Sequence, residues 1–228
     1  MNVILFKHQK EHEHIKQNTR KIKKWYKEIY YFKKQINVHE HINKKIRKRG
    51  IWIMKFGALY SYWGHEWKCD YIETAKRMHA CGCEVLEVGA PHLLEMTDDQ
   101  LKELKTTCDE LEMEITSNIG PSKEYDLASE DPAVRANGVK YLTDILRAMK
   151  KIGSKSLVGA MYSYWPCKDF KYDDKEGAWE RSIQGMKEVA KVAEELDIEC
   201  CLEVLNRFET YIMTSCEEAG EYCKRVGS

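Results

Sequence analysis

The sequence predicts an α/β fold with a parallel sheet of about five βα units, preceded by a basic N-terminal extension. Three observations carry this. From Phe56 onward, short apolar runs alternate with amphipathic stretches of helical period, the pattern of βα repetition. Most of the helical stretches open on a residue able to cap a helix. The charge also changes sign near residue 50: residues 1–50 hold fifteen Lys or Arg against four Glu and no Asp, whereas residues 51–228 hold twenty-two against thirty-three. At 228 residues and 43% apolar composition the chain suffices for one sizeable core rather than two. The expected division is an extension over residues 1–53 and an α/β body over 54–228.

The first fifty residues contain no Ala, Asp, Ser, Pro or Cys, with Trp25, Tyr26, Tyr30 and Tyr31 set among Lys21, Lys23, Lys24 and Lys27. A basic aromatic arm of this kind suits nucleic-acid phosphates or anionic lipid. A solvated extension, helical or disordered, or a stretch translated ahead of a natural start at Met54, accounts for the composition better. In the body the strands read Phe56 to Tyr62, Val85 to Ala90, Glu114 to Ile119, Ser156 to Tyr162 and Glu199 to Asn206. Helix starts are marked by Asp70 with Glu73, Thr97 with Gln100, Asp131 before Pro132, and Ser215 with Glu218, each able to satisfy free N–H groups. One helix places Leu142, Ile145, Leu146 and Met149 on a single face and ends at Gly153, a C-terminal cap.

All nine Cys follow residue 50, an odd number without a recognisable secretory leader, so reduced thiols in a cytoplasmic protein are expected. Cys81-Gly82-Cys83 and Cys200-Cys201 lack zinc-knuckle spacing and read as small buried hydrophobes. No apolar run approaches the about 20 residues that span a bilayer. Phosphate-binding glycine loops, HExxH and GxSxG are missing, which removes the commonest nucleotide, zinc-protease and serine-hydrolase readings.

In a parallel βα array, reactive groups gather beyond the carboxyl ends of the strands. Those positions hold Tyr60-Ser61-Tyr62-Trp63, then Glu87 and Gly89, then Asn118, then Tyr162-Ser163-Tyr164-Trp165-Pro166, and finally Glu203 with Asn206-Arg207-Phe208-Glu209. The tetrapeptide YSYW thus recurs at the first and fourth strand ends. Aromatic faces with carboxylates between them suit a sugar, whose C–H faces pack on rings while its hydroxyls need acceptors. Glu203 lies within an apolar run and so demands a cation or hydrogen bonds.

From Met54 onward these residues resemble the ketose 3-epimerases, the group of D-tagatose and D-psicose 3-epimerases within the xylose-isomerase-like TIM barrels. The resemblance rests on Met54 to Gly57 leading to Tyr62-Trp63 and Glu66-Trp67, on Gly159-Ala160 with Tyr162 to Pro166, on Trp179 to Ser182, and on Leu202 to Glu209. It implies an incomplete (β/α)8 TIM barrel and a divalent metal, manganese or cobalt and alternatively magnesium, held by two Glu, one Asp and one His. Glu203 matches the first metal ligand and is catalytic; of the two ligating Glu, one takes the C3 proton of a ketose and the other returns one from the opposite face. Glu209 matches a carboxylate that contacts hydroxyls near C1, Trp67 and Trp165 match pocket aromatics, Ala160 matches a small residue that admits the sugar, and Tyr62 belongs to the same rim. Leu59 and Asn118 depart from the family's usual residues, an aromatic and a Gly or Cys. The expected activity is that of the N-terminal part of a metal-dependent ketose 3-epimerase, with three βα units and the other metal ligands missing, so that the chain alone is inactive. Other readings are a different sugar isomerase of the same superfamily, a DNA-repair endonuclease, and a non-catalytic partial barrel stabilised by oligomerising. A small ketose is the expected partner, with a homo-oligomer for the complete enzyme and no membrane or nucleic acid.

Overall fold

The computed structural model describes residues 55–64 and 66–228. The expected extension over 1–53 lies outside the described residues. Five strands, β1 (Gly57–Leu59), β2 (Val85–Gly89), β3 (Glu114–Ile119), β4 (Ser156–Gly159) and β5 (Glu199–Leu202), pair in parallel and in chain order. Between them run α1 (Tyr71–Ala80), the short α2 (Ala90–Leu93), α3 (Asp98–Glu110), α4 (Pro132–Ile152) and α5 (Lys175–Leu196), and α6 (Cys216–Val226) follows β5. Right-handed crossovers between neighbouring parallel strands put every helix on one face of the sheet. Consistent with this, α1 packs on α3, α3 on α4, α4 on α5 and α5 on α6.

The alternation of burial along the strands follows from that one-sided cover. Leu86, Val88, Ile115, Ser117, Ile119 and Leu157 point into the helix layer and are buried, whereas Val85, Glu87, Thr116, Asn118 and Val158 on the other face are half-buried. Full burial of each aliphatic side chain contributes about 1.5–3 kcal/mol. The one hydroxyl among them, Ser117, meets Ser154 at 2.9 Å.

The four expected helix starts are present: Asp70 accepts from Ile72 and Glu73, Thr97 and Gln100 form a reciprocal capping box, Asp131 caps Ala133, and Ser215 caps Glu218. Gly153 ends α4 in the left-handed conformation at φ 74°. Helix α5 has no side-chain cap because Asp174, at its start, is turned to Arg181 at 2.6 Å. Three strands are shorter than the sequence suggests by several residues, and β2 by one. β1 ends at Leu59 because Tyr60–Gly64 folds into turns, with Tyr62 N–H donating to Leu59 O and Gly64 N–H to Ser61 O. β4 ends at Gly159, whose φ of 140° breaks the extended path. β5 ends at Leu202 although Glu203 N–H still reaches Gly159 O at 3.1 Å.

All nine cysteines are free thiols. The expectation that Cys81, Cys83, Cys200 and Cys201 are buried holds for the first two; Cys200 is half-buried and Cys201 exposed, because Cys201 lies on the face that none of the described helices covers. Among the described residues no helix is long and apolar enough to cross a membrane.

Candidate active site

Because all five strands run the same way, their carboxyl ends lie along one side of the sheet. The segment that carries Glu203 is fixed through its backbone. Glu203 N–H donates to Gly159 O at 3.1 Å, and the phenol of Tyr162 donates to Glu203 O at 2.9 Å. Tyr162 is wholly buried, and that burial pushes its phenol pKa up, so it stays a donor. Its own carbonyl accepts from Ser182 at 2.5 Å, and Ser182 in turn meets the buried Tyr222 hydroxyl at 2.6 Å. The Glu203 side chain itself is exposed.

The following turn is built by Asn206. Its side-chain oxygen accepts from Phe208 N–H at 2.9 Å, its carbonyl accepts from Glu209 and Thr210, and its amide nitrogen donates to the Glu209 carboxylate. Cys167 N–H then donates to Glu209 O at 2.9 Å, joining this turn to the loop after β4. Trp179 donates to Ile212 O at 2.6 Å, and Arg181 to Ala128 O at 2.9 Å. The Trp179–Ser182 stretch therefore holds in place the loops that carry the candidate residues.

A concavity of about 510 Å³ opens beyond the ends of β1 to β4. Its wall includes Trp67, Trp165, Asn118, Lys68, His92 and Glu95. Trp67 and Trp165 meet edge to face at 6.2 Å, and Trp165 N–H is anchored on Pro121 O at 2.7 Å. Gly120 is required there, because a Cβ at this position would stand 2.8 Å from the Trp165 ring. Glu95 is taken by an ion pair with Lys68, which holds its carboxyl below the usual range.

Of the sequence-predicted residues, Trp67 and Trp165 share this wall. Ala160 is buried at the end of β4, its N–H on Ile119 O at 3.3 Å. Tyr62 is exposed beside Trp63, ring centroids 5.2 Å apart. Glu203 and Glu209 stand at the β5 end, and these four residues lie outside the wall. The wall also holds three residues that sequence reasoning missed, Lys68, Glu95 and, on the element after β2, His92. In the fold it follows β2 by three residues on α2, with its ring against Tyr71 at 5.0 Å and its buried Nδ1 without a hydrogen-bond partner among the described residues. Pro91-His92 directly after an apolar run was the available signal.

Residues 72–228 match the family described as the xylose isomerase-like TIM barrel. The chain belongs to that family. Within it, the chain is similar to D-psicose 3-epimerase of Ruminiclostridium cellulolyticum, 40% identical over 173 residues that are 76% of this chain and 59% of the relative. It is likewise similar to D-psicose 3-epimerase of Agrobacterium fabrum, 36% identical over 76% of this chain and 60% of the relative. A crystal structure of D-psicose 3-epimerase with D-tagatose from Clostridium cellulolyticum H10 superposes with a TM-score of 0.74 at 40% identity, covering 76% of this chain and 60% of that one. The resemblance to ketose 3-epimerases is thus borne out, and the chain spans about three-fifths of the length of these relatives. The metal that the xylose isomerase-like resemblance implies is not accommodated by the described residues alone. Among them no three His, Cys, Asp or Glu side chains come together, and a single carboxylate at Glu203 falls short of the several hard donors that manganese or cobalt takes.

Proposed function

We propose that the chain carries the sugar-binding wall and one catalytic carboxylate of a ketose 3-epimerase acting on free ketohexoses of the psicose, fructose and tagatose type. The observation that carries the reading is the double backbone anchoring of Glu203 at the carboxyl end of β5, beside the loop that brings Trp165 to Trp67. A base must be held in position before its proton affinity matters, and two main-chain hydrogen bonds do this while leaving the carboxylate free. Glu203 takes the C3 proton and would serve as one metal ligand where further donors complete the site. Trp67 and Trp165 take the C–H faces of the sugar, Glu209 accepts from hydroxyls near C1, Ala160 leaves room for the carbon chain, and Tyr62 closes the rim.

Return of a proton to the far face needs a second group, and the remaining ligands of the metal need further donors. Among the described residues no three such donors come together, and we infer that the chain by itself does not turn over ketoses. C3 epimerisation of fructose, psicose and tagatose, assayed with added manganese or cobalt, tests this. The chain alone is expected to be silent, and a fusion to the part of the Ruminiclostridium cellulolyticum relative that it does not span is expected to be active. A folded, metal-loaded fusion without epimerase activity overturns the proposal. Turnover by the chain alone that disappears in Glu203→Gln would mean that a neighbouring subunit completes the site.

A further inference from the structure

We propose that Asn118 determines specificity: its side-chain carbonyl, oriented by Glu87, accepts a hydrogen bond from a hydroxyl at the C5–C6 end of a ketose whose C3 end lies at Glu203. This rests on the ketose reading above and adds a polar contact at the end of the sugar away from the chemistry.

The placement follows from the register. Asn118 pairs with Val158 and Val158 with Cys201, so Asn118 stands two strands across from Glu203 and two residues short of it along the strand direction. Strand spacing and rise put their Cα atoms roughly 12 Å apart. With both side chains reaching over the sheet, the remaining gap suits the length of a six-carbon ketose. Asn118 also lies in the wall that holds Trp67 and Trp165, the rings proposed to take the sugar's C–H faces.

The orientation of the amide follows from its partner. Asn118 Nδ2 donates to Glu87 Oε1 at 3.1 Å, and Gly89, paired with Asn118 across the ladder, has no side chain to intervene. A carboxylate offers only lone pairs, so the amide must turn its NH2 group to Glu87 and its carbonyl elsewhere. Among the described residues that carbonyl has no hydrogen-bond donor. The carboxylate in the wall itself, Glu95, is occupied by Lys68. Asn118 Oδ1 is therefore the preset acceptor at this end of the concavity. A half-buried acceptor that loses its water and finds no donor is penalised, so a ketose lacking the matching hydroxyl is rejected.

The test uses the full chain in ligand-observed saturation-transfer NMR titrations with D-psicose and D-fructose and with their 5-deoxy and 6-deoxy counterparts. In the unsubstituted chain, removal of at least one of these hydroxyls is expected to weaken binding about tenfold or more. In Asn118→Ala the same removal should change binding less than about twofold. Glu87→Ala, which frees the amide to turn, should lie between them; it carries the test if Asn118→Ala does not fold. Discrimination that persists unchanged in Asn118→Ala, or in Glu87→Ala where it stands in, overturns the proposal and leaves the ketose reading intact. If the unsubstituted chain binds no ketose, both fall; if it binds but does not discriminate, only the role of Asn118 falls.

Discussion

Tyr162 reaches Glu203 through the main chain, so a change far from the sugar can disturb the candidate base. Tyr162→Phe removes one hydroxyl from a packed site and leaves Glu203 O without that donor. It should cost about 1–2 kcal/mol in urea unfolding. Asp126 offers a pH signature. It is buried, accepts from Ala128 N–H at 2.9 Å and Tyr164 N–H at 3.3 Å, and burial pushes its carboxyl pKa above the ordinary 3.8 despite those donors. The folded state therefore holds this proton more tightly than the unfolded chain, and its contribution to stability declines as pH rises from 3.8 through the folded value. Asp126→Asn keeps an oxygen for both N–H groups, so melting temperature should fall less over that interval than in the unsubstituted chain. Equal pH dependence in the two would show that Asp126 is not the source.

At the scale of elements, the end of β4 is the most constrained point. A Cβ on Gly159 would stand 2.0 Å from Ile119 O, at a φ of 140° that side chains rarely adopt. Gly159→Ala is expected to cost about 3 kcal/mol or more and to separate the β3 and β4 ends, as read by unfolding and by amide exchange at Ala160 and Glu203. Thr97→Ala, which breaks the capping box of α3, should cost about 1 kcal/mol and leave the site untouched. The strand order, four helix starts and Gly153 cap were legible because period and caps are local signals. The ends of β1, β4 and β5 were not, since aromatic runs such as Tyr60–Trp63 look like strand and become turns when backbone hydrogen bonds close them. Trp67 and Trp165, singled out by their motifs, share one wall in the fold, and Glu203 stands at the β5 end. The presence of Lys68, Glu95 and His92 in that wall was not legible, because a wall built from the segment before α1, from α2 and from strand ends depends on how distant segments meet.

For the whole molecule, the one-sided helix cover leaves a sheet face open among the described residues, flanked by exposed Leu59, Trp67 and Phe208. Such a surface favours self-association, so sedimentation velocity should reveal species heavier than the 26.8 kDa chain that grow with concentration. A strictly monomeric chain over that range would contradict it. Glu203 is proposed above as the base that removes the C3 proton of a ketose. Hydrogen exchange at C3 tests it most directly, measured by NMR on D-fructose in D2O with the chain fused to the part of the Ruminiclostridium cellulolyticum relative that it does not span. Solvent deuterium is expected at C3 of the psicose formed, with both incorporation and epimerisation lost in Glu203→Gln. Epimerisation without deuterium at C3, or deuterium uptake that survives Glu203→Gln, would contradict it.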